Sequence, residues 1–390
     1  MENPSNKRMN PLLQTIVFTS AAFFLSSGLL ARAGSLVIWG TGVATNCPPS
    51  LTNVQAVAAG SSHGLALGPD GYVTVWGNNS YHQTNVPAGL SNVIAVAGGL
   101  YHCLALKADG SVAGWGRNNR SQSTVPEGLS NVVAIAAGAT HSLALLQDGR
   151  VTNWGRYWDG NSPDDSDFVQ IAPPAAATNV IAIVAGDDHD LALRSDGTVV
   201  AWGLNNFGQT DLPCDLTNVL AVAAGRSHSL ALRSDGRLAA WGRDNCGQAS
   251  IPAGLKDVQS LAAGTEHNLV LKKDGTVVAW GGDECGQTNV PAGLSNVTAI
   301  AAGWDFNIAL VGNESPPPEF VAGTNPRHAD GVFCVTVATV QGRSYRLEYK
   351  SALEQTNWEA LPTVSGDDTS RTLEDPSATA PQRYYRVRQW

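Results

Sequence analysis

The sequence predicts an all-β protein: a seven-bladed β-propeller closed by the mature N-terminal strand, followed by a small C-terminal β-sandwich module. Three repeated motifs in the 390-residue chain lead to this prediction. Trp-Gly pairs occur seven times, a Gly-x-x-His motif occurs six times, and Asp-Gly pairs fall between these markers six times. A repeat of about 40 residues built from short strands is typical of propeller blades.

The Trp-Gly pairs set the period of the repeat. They begin at Trp39, Trp76, Trp115, Trp154, Trp202, Trp241 and Trp280. The successive spacings are 37, 39, 39, 48, 39 and 39 residues, so one unit is longer than the common length by 48 − 39 = 9 residues. That unit lies between Trp154 and Trp202 and contains an insertion.

Each unit contains three short segments with strand character. In one representative unit these are Val219–Gly225, His228–Arg233 and Arg237–Trp241, and the Asp235-Gly236 pair is a strong hairpin signal. We expect a fourth, weaker strand ending at Ile251-Pro252 to form the outer edge, because proline cannot donate within a central ladder. No unit has a helix-length stretch with a 3.6-residue period, which argues against a βαβ solenoid.

The two ends of the repeat region complement each other. The last unit stops at Val311-Gly312 without a Trp strand, whereas the first begins as a Trp strand alone, at Ser35–Gly40. We therefore expect the N-terminal strand to complete the seventh blade, so that residues 34–312 form one ring.

Residues 1–33 have the pattern of a secretory signal peptide. Lys7 and Arg8 precede a mostly apolar run, and Ala31-Arg32-Ala33 is a typical cleavage site. A retained membrane anchor is the alternative, but the run is short and contains several polar residues. Cleavage predicts a secreted, cell-surface or periplasmic bacterial protein without a membrane span, and it moves the net charge from −9 to −9 − 3 + 1 = −11.

The acidic composition limits the possible partners. The chain has 33 Asp and Glu against 24 Lys and Arg, whereas nucleic acids and anionic membranes require a basic face. A hydrophobic content of 43% supports a substantial core and excludes wholesale disorder.

The C-terminal part has a different pattern. Residues 313–318 form a Pro-rich linker, and residues 319–390 are predicted to form the small sandwich, with Trp358 and Leu361 in its core. Alternation at period two predicts strands around Phe333–Val337, Ser344–Lys350 and Arg383–Val387. This segment resembles a short module on exported proteins of environmental bacteria, which implies a structural cap, with surface or carbohydrate attachment as the alternative.

The repeat resembles the regulator of chromosome condensation family of seven-bladed propellers. The resemblance lies in Gly225–Leu232, Asp274–Gly281 and the repeated Gly-Gln pairs. The short unit and the Gln-Thr-Asn-Val-Pro-Ala segments at Gln83–Ala88 and Gln287–Ala292 are similar to those of secreted bacterial members, which include β-lactamase inhibitor proteins. These are scaffold residues, so the resemblance implies a fold and leaves the function open.

The six repeated histidines are expected to be structural. Equivalent blade positions lie on a ring around the axis, so six imidazoles there would not converge on one metal ion. We expect each histidine to form a hydrogen bond within its own hairpin, and we predict no metal or cofactor.

The two residues between Gly and His differ from unit to unit while the scaffold positions repeat. This variation is typical of binding loops on a rigid frame, although solvent exposure explains it equally well. The candidate binding residues from these loops are Tyr101, Asp187, Asp188, Arg226, Glu266, Trp304 and Asp305.

The insertion offers a second candidate site. Tyr157 and Trp158 could anchor a partner, and the clustered carboxylates of residues 159–167 could bind Ca²⁺, although a solvated loop is the simpler interpretation. Export permits disulfides, and a bridge between Cys246 and Cys285, which occupy equivalent positions, stays open.

Together these features predict an exported, non-enzymatic and monomeric scaffold that binds an extracellular protein or glycan through its blade loops. The alternative is a polysaccharide-acting hydrolase or lyase using Asp187, Asp188, Glu266 or Asp305 at the channel mouth. Two of these carboxylates within ~10 Å of each other in a deep cleft would favour the enzyme. The nucleotide-exchange and chromatin roles of eukaryotic relatives conflict with export and with the acidic charge.

Overall fold

A computed structural model describes residues 34–48, 51, 53–158, 168–312, 319–320, 324–329, 332–339, 344–350, 359–366, 369–376 and 384–389. The predicted signal peptide, most of the acidic insertion, the linker and Trp358 lie outside these residues. The described residues contain β-strands and one short 3-10 helix, Val43–Thr45, and no α-helix. The all-β prediction is confirmed.

The chain forms two compact units, Met1–Asn313 and Glu314–Trp390, which we describe separately. The strands of the first unit, in chain order, are β1 Ser35–Gly40, β2 Ala56–Ala59, β3 His63–Leu67, β4 Val73–Gly77, β5 Val93–Gly98, β6 His102–Lys107, β7 Val112–Gly116, β8 Val132–Ala137, β9 His141–Leu146, β10 Val151–Gly155, β11 Tyr157–Trp158, β12 Phe168–Val169, β13 Val180–Ala185, β14 His189–Arg194, β15 Val199–Gly203, β16 Val219–Ala224, β17 His228–Arg233, β18 Leu238–Gly242, β19 Val258–Ala263, β20 His267–Lys272, β21 Val277–Gly281, β22 Val297–Ala302 and β23 Phe306–Val311.

These strands form repeated three-stranded antiparallel sheets. The orders are β2-β3-β4, β5-β6-β7, β8-β9-β10, β13-β14-β15, β16-β17-β18, β19-β20-β21 and β22-β23-β1, and the insertion adds the two-stranded sheet β11-β12. The three strong strands predicted for each unit are therefore present.

The predicted fourth strand is wrong. The segment that ends at Ile251-Pro252 consists of turns, because side chains rather than a neighbouring strand satisfy its backbone. The Cys246 N–H donates to Gln248 Oε1 at 2.8 Å, and the Ala249 N–H donates to Asp244 Oδ1 at 2.7 Å. Such local side-chain acceptors compete with strand pairing.

The N-terminal strand β1 lies in the same sheet as the last two strands of the repeat region. It pairs with β23 in antiparallel register from Ser35↔Val311 to Gly40↔Phe306. The Trp39 indole donates to the Gln287 carbonyl at 3.1 Å, just as the Trp115 indole donates to the Gln83 carbonyl at 2.9 Å. Trp39 therefore occupies the same position in its sheet as the other repeated tryptophans.

The core of this unit lies between consecutive sheets. Seven apolar clusters each join two neighbouring sheets, and one of them joins β22 and β23 to the first sheet through Phe306, Ile308 and Trp76. The seven repeated tryptophans are only 4% to 8% exposed. Removal of a large buried aromatic side chain costs about 3–5 kcal/mol, so each tryptophan is a substantial part of the core.

The second unit contains two sheets around one core. Its strands are β24 Glu319–Phe320, β25 Thr324–Ala329, β26 Val332–Ala338, β27 Ser344–Lys350, β28 Glu359–Ser365, β29 Ser370–Asp375 and β30 Tyr384–Gln389. The sheets have the orders β24-β30-β27-β28 and β25-β26-β29. Val337, Tyr345 and Leu347 are buried between them, and Leu361 packs against this core as predicted.

Candidate functional site

Two groups of loops lie at one end of the sheets in the first compact unit, which contains all the repeats. One group consists of the Gly-x-x-His turns, and the other consists of the loops that follow the Trp-Gly strands. Backbone hydrogen bonds join them: the Arg117 N–H donates to the Tyr101 carbonyl at 2.8 Å, and the Arg243 N–H donates to the Ser227 carbonyl at 2.9 Å. We call this end the loop face and the opposite end, which carries the hairpins, the Asp-Gly face.

The repeated histidines hold neighbouring sheets together beneath the loop face. The His102 Nε2 atom lies 2.9 Å from Ser142 Oγ in the next sheet, and Ser142 Oγ donates to the Gln122 carbonyl at 2.8 Å. Because the serine proton is used for that carbonyl, His102 Nε2 donates to Ser142. The same contact between consecutive sheets recurs in the pairs His63–Cys103, His141–Asp190, His189–Ser229, His228–Asn268 and His267–Asn307.

The predicted hydrogen bond within each histidine's own hairpin is therefore wrong, since the partner lies one sheet further along the chain. Burial lowers the pKa of His102 and His189 to about 3, and that of His63, His228 and His267 to about 4. These five imidazoles are neutral at pH 7 and belong to the scaffold.

The Gly-x-x-His motif has a steric cause. A Cβ atom placed on Gly60 would collide with the His63 ring and with the Gly99 carbonyl of the next unit, and the equivalent glycines have the same surroundings. Glycine is required where the imidazole lies directly against the backbone. In the seventh repeat Phe306 takes the place of the histidine. Gly64, in the sheet β2-β3-β4 that packs against it, takes the place of the polar partner.

The unit with the insertion uses a different set of buried groups. Asp190 takes the place of the usual Ser, Asn or Cys, and its Oδ1 atom lies 2.9 Å from His141 Nε2. The Tyr157 hydroxyl donates to Asp190 Oδ2 at 2.5 Å and accepts a hydrogen bond from Asn153 Nδ2 at 2.9 Å. Tyr157 also stacks on the His141 ring, with the centroids 3.9 Å apart.

Tyr157 is therefore fully buried and is not available as a partner anchor, contrary to the prediction. It supplies the hydroxyl that Asp190 needs in a unit lacking the repeated Gly-Gln pair. Trp158 remains partly exposed, and its N–H donates to Asp188 Oδ1 at 2.8 Å. The predicted Ca²⁺ ligands of residues 159–167 lie outside the described part of the chain.

A narrow central cavity opens onto the loop face. Its volume is about 80 Å³, and the Ala-Gly segments of the sheets form most of its wall. Residues with larger side chains line its mouth: Ser61, Leu100, Asp187, Arg226, Thr265 and Trp304. Three predicted binding residues, Asp187, Arg226 and Trp304, are thus brought together at one opening.

Asp187, which lines the mouth, and its chain neighbour Asp188 both have raised pKa values. Burial, with a contribution from the Asp188 charge, raises the pKa of Asp187 to about 7, although Arg226 at 3.6 Å opposes the shift. Burial also raises the pKa of Asp188. Both carboxylates already have protein partners, Arg226 for Asp187 and the Trp158 amide for Asp188.

The other predicted acidic residues lie in a separate group, which we call the acidic sector and define as Glu266, Glu284 and Asp305. Glu266 is paired with Arg243 at 3.4 Å and accepts a hydrogen bond from the Cys246 thiol at 3.3 Å. Partial burial raises the pKa of Asp305, and the nearby charges of Glu266 and Glu284 add to the shift.

Aromatic and arginine side chains occupy another part of the loop face. Tyr81 and Tyr101 have ring centroids 4.8 Å apart, and the Arg117 guanidinium lies 4.7 Å from the first and 5.6 Å from the second. We call these three residues the aromatic sector. Two more such pairs, Arg120 over Phe168 at 4.2 Å and Arg243 over Phe207 at 5.2 Å, lie on the loops that follow the Trp-Gly strands.

Tyr101 was predicted from the sequence as a binding residue, but Tyr81, Arg117 and Phe207 were not. A signal was available, because the residue two positions before the repeated glutamine varies strongly while the glutamine does not. That position holds Tyr81, Arg120, Phe207, Cys246 and Cys285. Tyr81 and Phe207 are 40% and 50% exposed, high values for large apolar side chains.

The cysteines, the possible metal ligands and the possible membrane spans do not add a further site among the described residues. All six cysteines lie in the described part of the chain, and each is a free thiol, so Cys246 and Cys285 are not bridged. Among the described residues, no group of three or more His, Cys, Asp or Glu side chains is arranged to hold a metal ion. Within the same ranges, no helix is long and apolar enough to span a membrane.

A known family of repeats matches six segments of the repeat region. The model of the regulator of chromosome condensation (RCC1) repeat matches six segments, residues 54–83, 93–122, 132–156, 180–209, 219–248 and 258–287. The third match ends at residue 156, directly before the insertion. No curated protein sequence matches the chain.

Solved propeller structures are similar in fold. Prp20p from Saccharomyces cerevisiae is 20% identical, with 74% of this chain and 93% of that chain covered and a TM-score of 0.59. Human WBSCR16 is 19% identical, with coverages of 72% and 99% and a TM-score of 0.54. The ectodomain of the Arabidopsis thaliana receptor kinase ACR4 is 22% identical, with coverages of 68% and 96% and a TM-score of 0.52. This chain is therefore an RCC1-repeat protein with a β-propeller fold.

Proposed function

We propose that this protein is an exported, non-enzymatic scaffold that binds a partner protein through its loop face. The observation behind this proposal is the contrast between positions on that face. The His, Trp and Gln positions that recur from unit to unit are buried, whereas the partly or fully exposed positions beside them carry Tyr81, Tyr101, Arg117, Phe207 and Trp304. Tyr, Trp and Arg are the residues most enriched at the energetic centres of protein interfaces.

The structural neighbours give this proposal a precedent. The Prp20p structure is described together with its binding properties to Gsp1p and histones, and a second yeast structure shows Kap60 bound to RCC1 (Prp20). At 20% identity these structures show a similar fold only, and the partners named are those of the yeast protein. They support the more general idea that the fold serves as a binding scaffold.

The geometry of the mouth favours binding over hydrolysis. Its cavity of about 80 Å³ is far smaller than the ~300–1,000 Å³ of typical small-molecule sites. Of the four predicted catalytic carboxylates, Asp187 and Glu266 are paired with arginines and Asp188 accepts a backbone hydrogen bond. A polysaccharide-acting enzyme would need two carboxylates free to reach a substrate in a cleft.

The start of the first strand supports the export part of the proposal. Gly34 is the first residue after the predicted cleavage site, and its N–H donates to the Val54 carbonyl at 2.9 Å. Strand β1 follows directly, at Ser35. The folded unit therefore uses the chain from the first residue of the predicted mature protein.

Affinity capture from the culture supernatant tests the function. The bait is the mature chain, and its loop-face variant carries Tyr81→Ala, Arg117→Gln and Phe207→Ala. The matched control carries Tyr72→Ala and Arg237→Gln on the Asp-Gly face, where both side chains are exposed. We expect the wild type and the control to retain the same protein and the loop-face variant to lose it.

Loss of the captured protein in the Asp-Gly-face control alone would contradict the proposal. Equal capture by all three baits would also contradict it. If glycosidase treatment of the supernatant abolishes capture, the ligand is a glycan and the protein-partner proposal is wrong.

A further inference from the structure

We infer that the aromatic sector binds a carboxylate, supplied by a short acidic segment of the partner protein. This inference rests on the proposed function and adds the chemistry of the ligand. It concerns Tyr81, Tyr101 and Arg117, which come from the loops of two consecutive units.

Arg117 is held in place without being neutralised. Its backbone N–H donates to the Tyr101 carbonyl at 2.8 Å, and its Nε atom donates to Asn119 Oδ1 at 2.9 Å. The guanidinium lies over both tyrosine rings, within the ~6 Å at which cation–π attraction is significant. No carboxylate among the described residues lies within 4.0 Å of its nitrogen atoms.

This lack of an acidic partner is notable in an acidic chain. On the loop face, Arg226 is paired with Asp187 at 3.6 Å and Arg243 with Glu266 at 3.4 Å. On the Asp-Gly face six basic side chains pair with aspartates, as Arg150 does with Asp148 at 2.7 Å. Arg117 keeps its two Nη groups for an external ligand, and a guanidinium edge matches a carboxylate with two parallel hydrogen bonds.

The tyrosines add to the same site. Neither the Tyr81 nor the Tyr101 hydroxyl has a hydrogen-bond partner among the described residues, and Tyr81 is 40% exposed. Both rings lie beside the guanidinium, so a carboxylate that it binds would lie next to the two tyrosines. Their apolar faces would cover the carbon atoms of the bound segment.

The rest of the face favours a short acidic segment over an extended polyanion. The acidic sector lies on the same face, and the mature chain has a predicted net charge of −11, so a polyanion crossing the face would be repelled. Attraction by Arg117 acts over roughly one Debye length, about 8–10 Å in physiological salt. A neutral segment with one or two carboxylates can be attracted by Arg117 at short range and is not repelled by the rest of the face.

Fluorescence anisotropy with a short labelled peptide of Gln and Gly that carries two Glu residues tests the inference on the mature chain. The neutral probe is the corresponding Gln and Gly peptide, and polygalacturonate is the polyanionic competitor. We expect Arg117→Gln to weaken binding of the acidic peptide by about tenfold or more, because a charge-assisted bidentate contact is lost. Arg117→Lys should restore part of the affinity, and the Asp-Gly-face variant Arg237→Gln should bind like the wild type.

Three results would overturn the inference: equal affinity for the acidic and neutral peptides, no effect of Arg117→Gln when its melting temperature is unchanged, or tighter binding of polygalacturonate than of the peptide. Affinity capture separates this failure from failure of the proposed function. If Arg117→Gln alone retains the captured protein and the loop-face triple variant loses it, the acidic-segment inference is wrong and the scaffold proposal stands. If the triple variant retains the protein, the scaffold proposal fails.

Discussion

At the scale of single residues, the buried histidines determine how the fold responds to acid. Five of them have folded-state pKa values of about 3 or 4, below the ordinary value of 6.5, because burial disfavours the charged form. Between those values and pH 6.5 the unfolded chain binds protons that the folded chain does not. Stability is therefore fully present above pH 6.5 and is lost as the pH falls towards 4.

The first prediction is a marked loss of stability in mild acid. Between pH 6.5 and pH 5 each of the five histidines lowers the free energy of unfolding by up to about 2 kcal/mol, since one pKa unit corresponds to about 1.4 kcal/mol. The raised pKa values of Asp187, Asp188 and Asp305 have the opposite sign, but these are three groups against five. We expect the urea midpoint to fall clearly from pH 7.5 to pH 5.

The double variant His267→Phe with Asn307→Gly is the control, because the chain itself uses Phe306 and Gly64 at the equivalent positions. Its midpoint should fall less over the same pH range. A midpoint independent of pH in the wild type would show that the histidines are not buried as described.

The buried Asp190 leads to a second prediction. Asp190→Ala leaves the His141 ring and the Tyr157 hydroxyl without their partner, and two hydrogen bonds to a carboxylate together contribute about 3–6 kcal/mol. Ser229→Ala, at the equivalent position in the next sheet, removes two neutral hydrogen bonds, one with His189 and one to the Gln209 carbonyl, and should cost about 1–3 kcal/mol. Urea denaturation at pH 7.5 measures both, and equal losses would refute the special role of Asp190.

At the scale of elements, the strands were predictable and the loops were not. Short runs of strand character and the Asp235-Gly236 pair placed β17 correctly and β16 and β18 to within one residue, because both signals are local. The prediction of the fourth strand failed because a proline after an apolar residue resembles an edge strand. The sequence does not show that the Gln248 and Asp244 side chains bond the backbone of this segment.

The candidate site was predictable only in part, for a related reason. Variation between the repeats singled out the Gly-x-x-His turns and thus Tyr101, but the position of Tyr81 beside it depends on a contact between two units. The same limit applies to Tyr157, since an insertion has no equivalent in other units and its burial cannot be inferred from the repeat. The histidine partners, about 40 residues further along the chain, also depend on how the sheets pack.

The repeated glutamine gives an element-scale prediction. Gln209 is 1% exposed, and its Oε1 atom accepts the Phe207 N–H at 2.9 Å, so it shapes the loop that presents Phe207. Gln209→Ala should cost about 1–2 kcal/mol and increase hydrogen exchange across residues 205–211. Gln147→Ala, at an exposed position on the Asp-Gly face, serves as the control and should change neither quantity. Unchanged exchange in Gln209→Ala would contradict this role.

At the scale of the whole molecule, the two ends of the repeat region meet in one sheet. Ser35 of β1 is paired with Val311 of β23, at the end of the sheets that carries the Asp-Gly hairpins. The chain therefore enters and leaves the propeller at the Asp-Gly face.

Deletion of residues 34–40 tests whether the N-terminal strand holds the ring together. The deletion removes Trp39 and exposes the apolar cluster that it shares with Leu269, Ile300 and Ala309. We predict loss of the cooperative thermal transition in calorimetry, relative to a mature chain that begins at Gly34. A truncated chain that melts like the mature one would show that the strand is dispensable.

The central claim is that the loop face, rather than the Asp-Gly face, meets the partner. Site-specific photocrosslinking in the producing culture tests it most directly, with the photoreactive residue at Tyr81 on the loop face or at Tyr72 on the Asp-Gly face, both exposed tyrosines. We predict a discrete crosslinked protein from position 81 and none from position 72. A crosslinked partner from position 72 alone would contradict the claim.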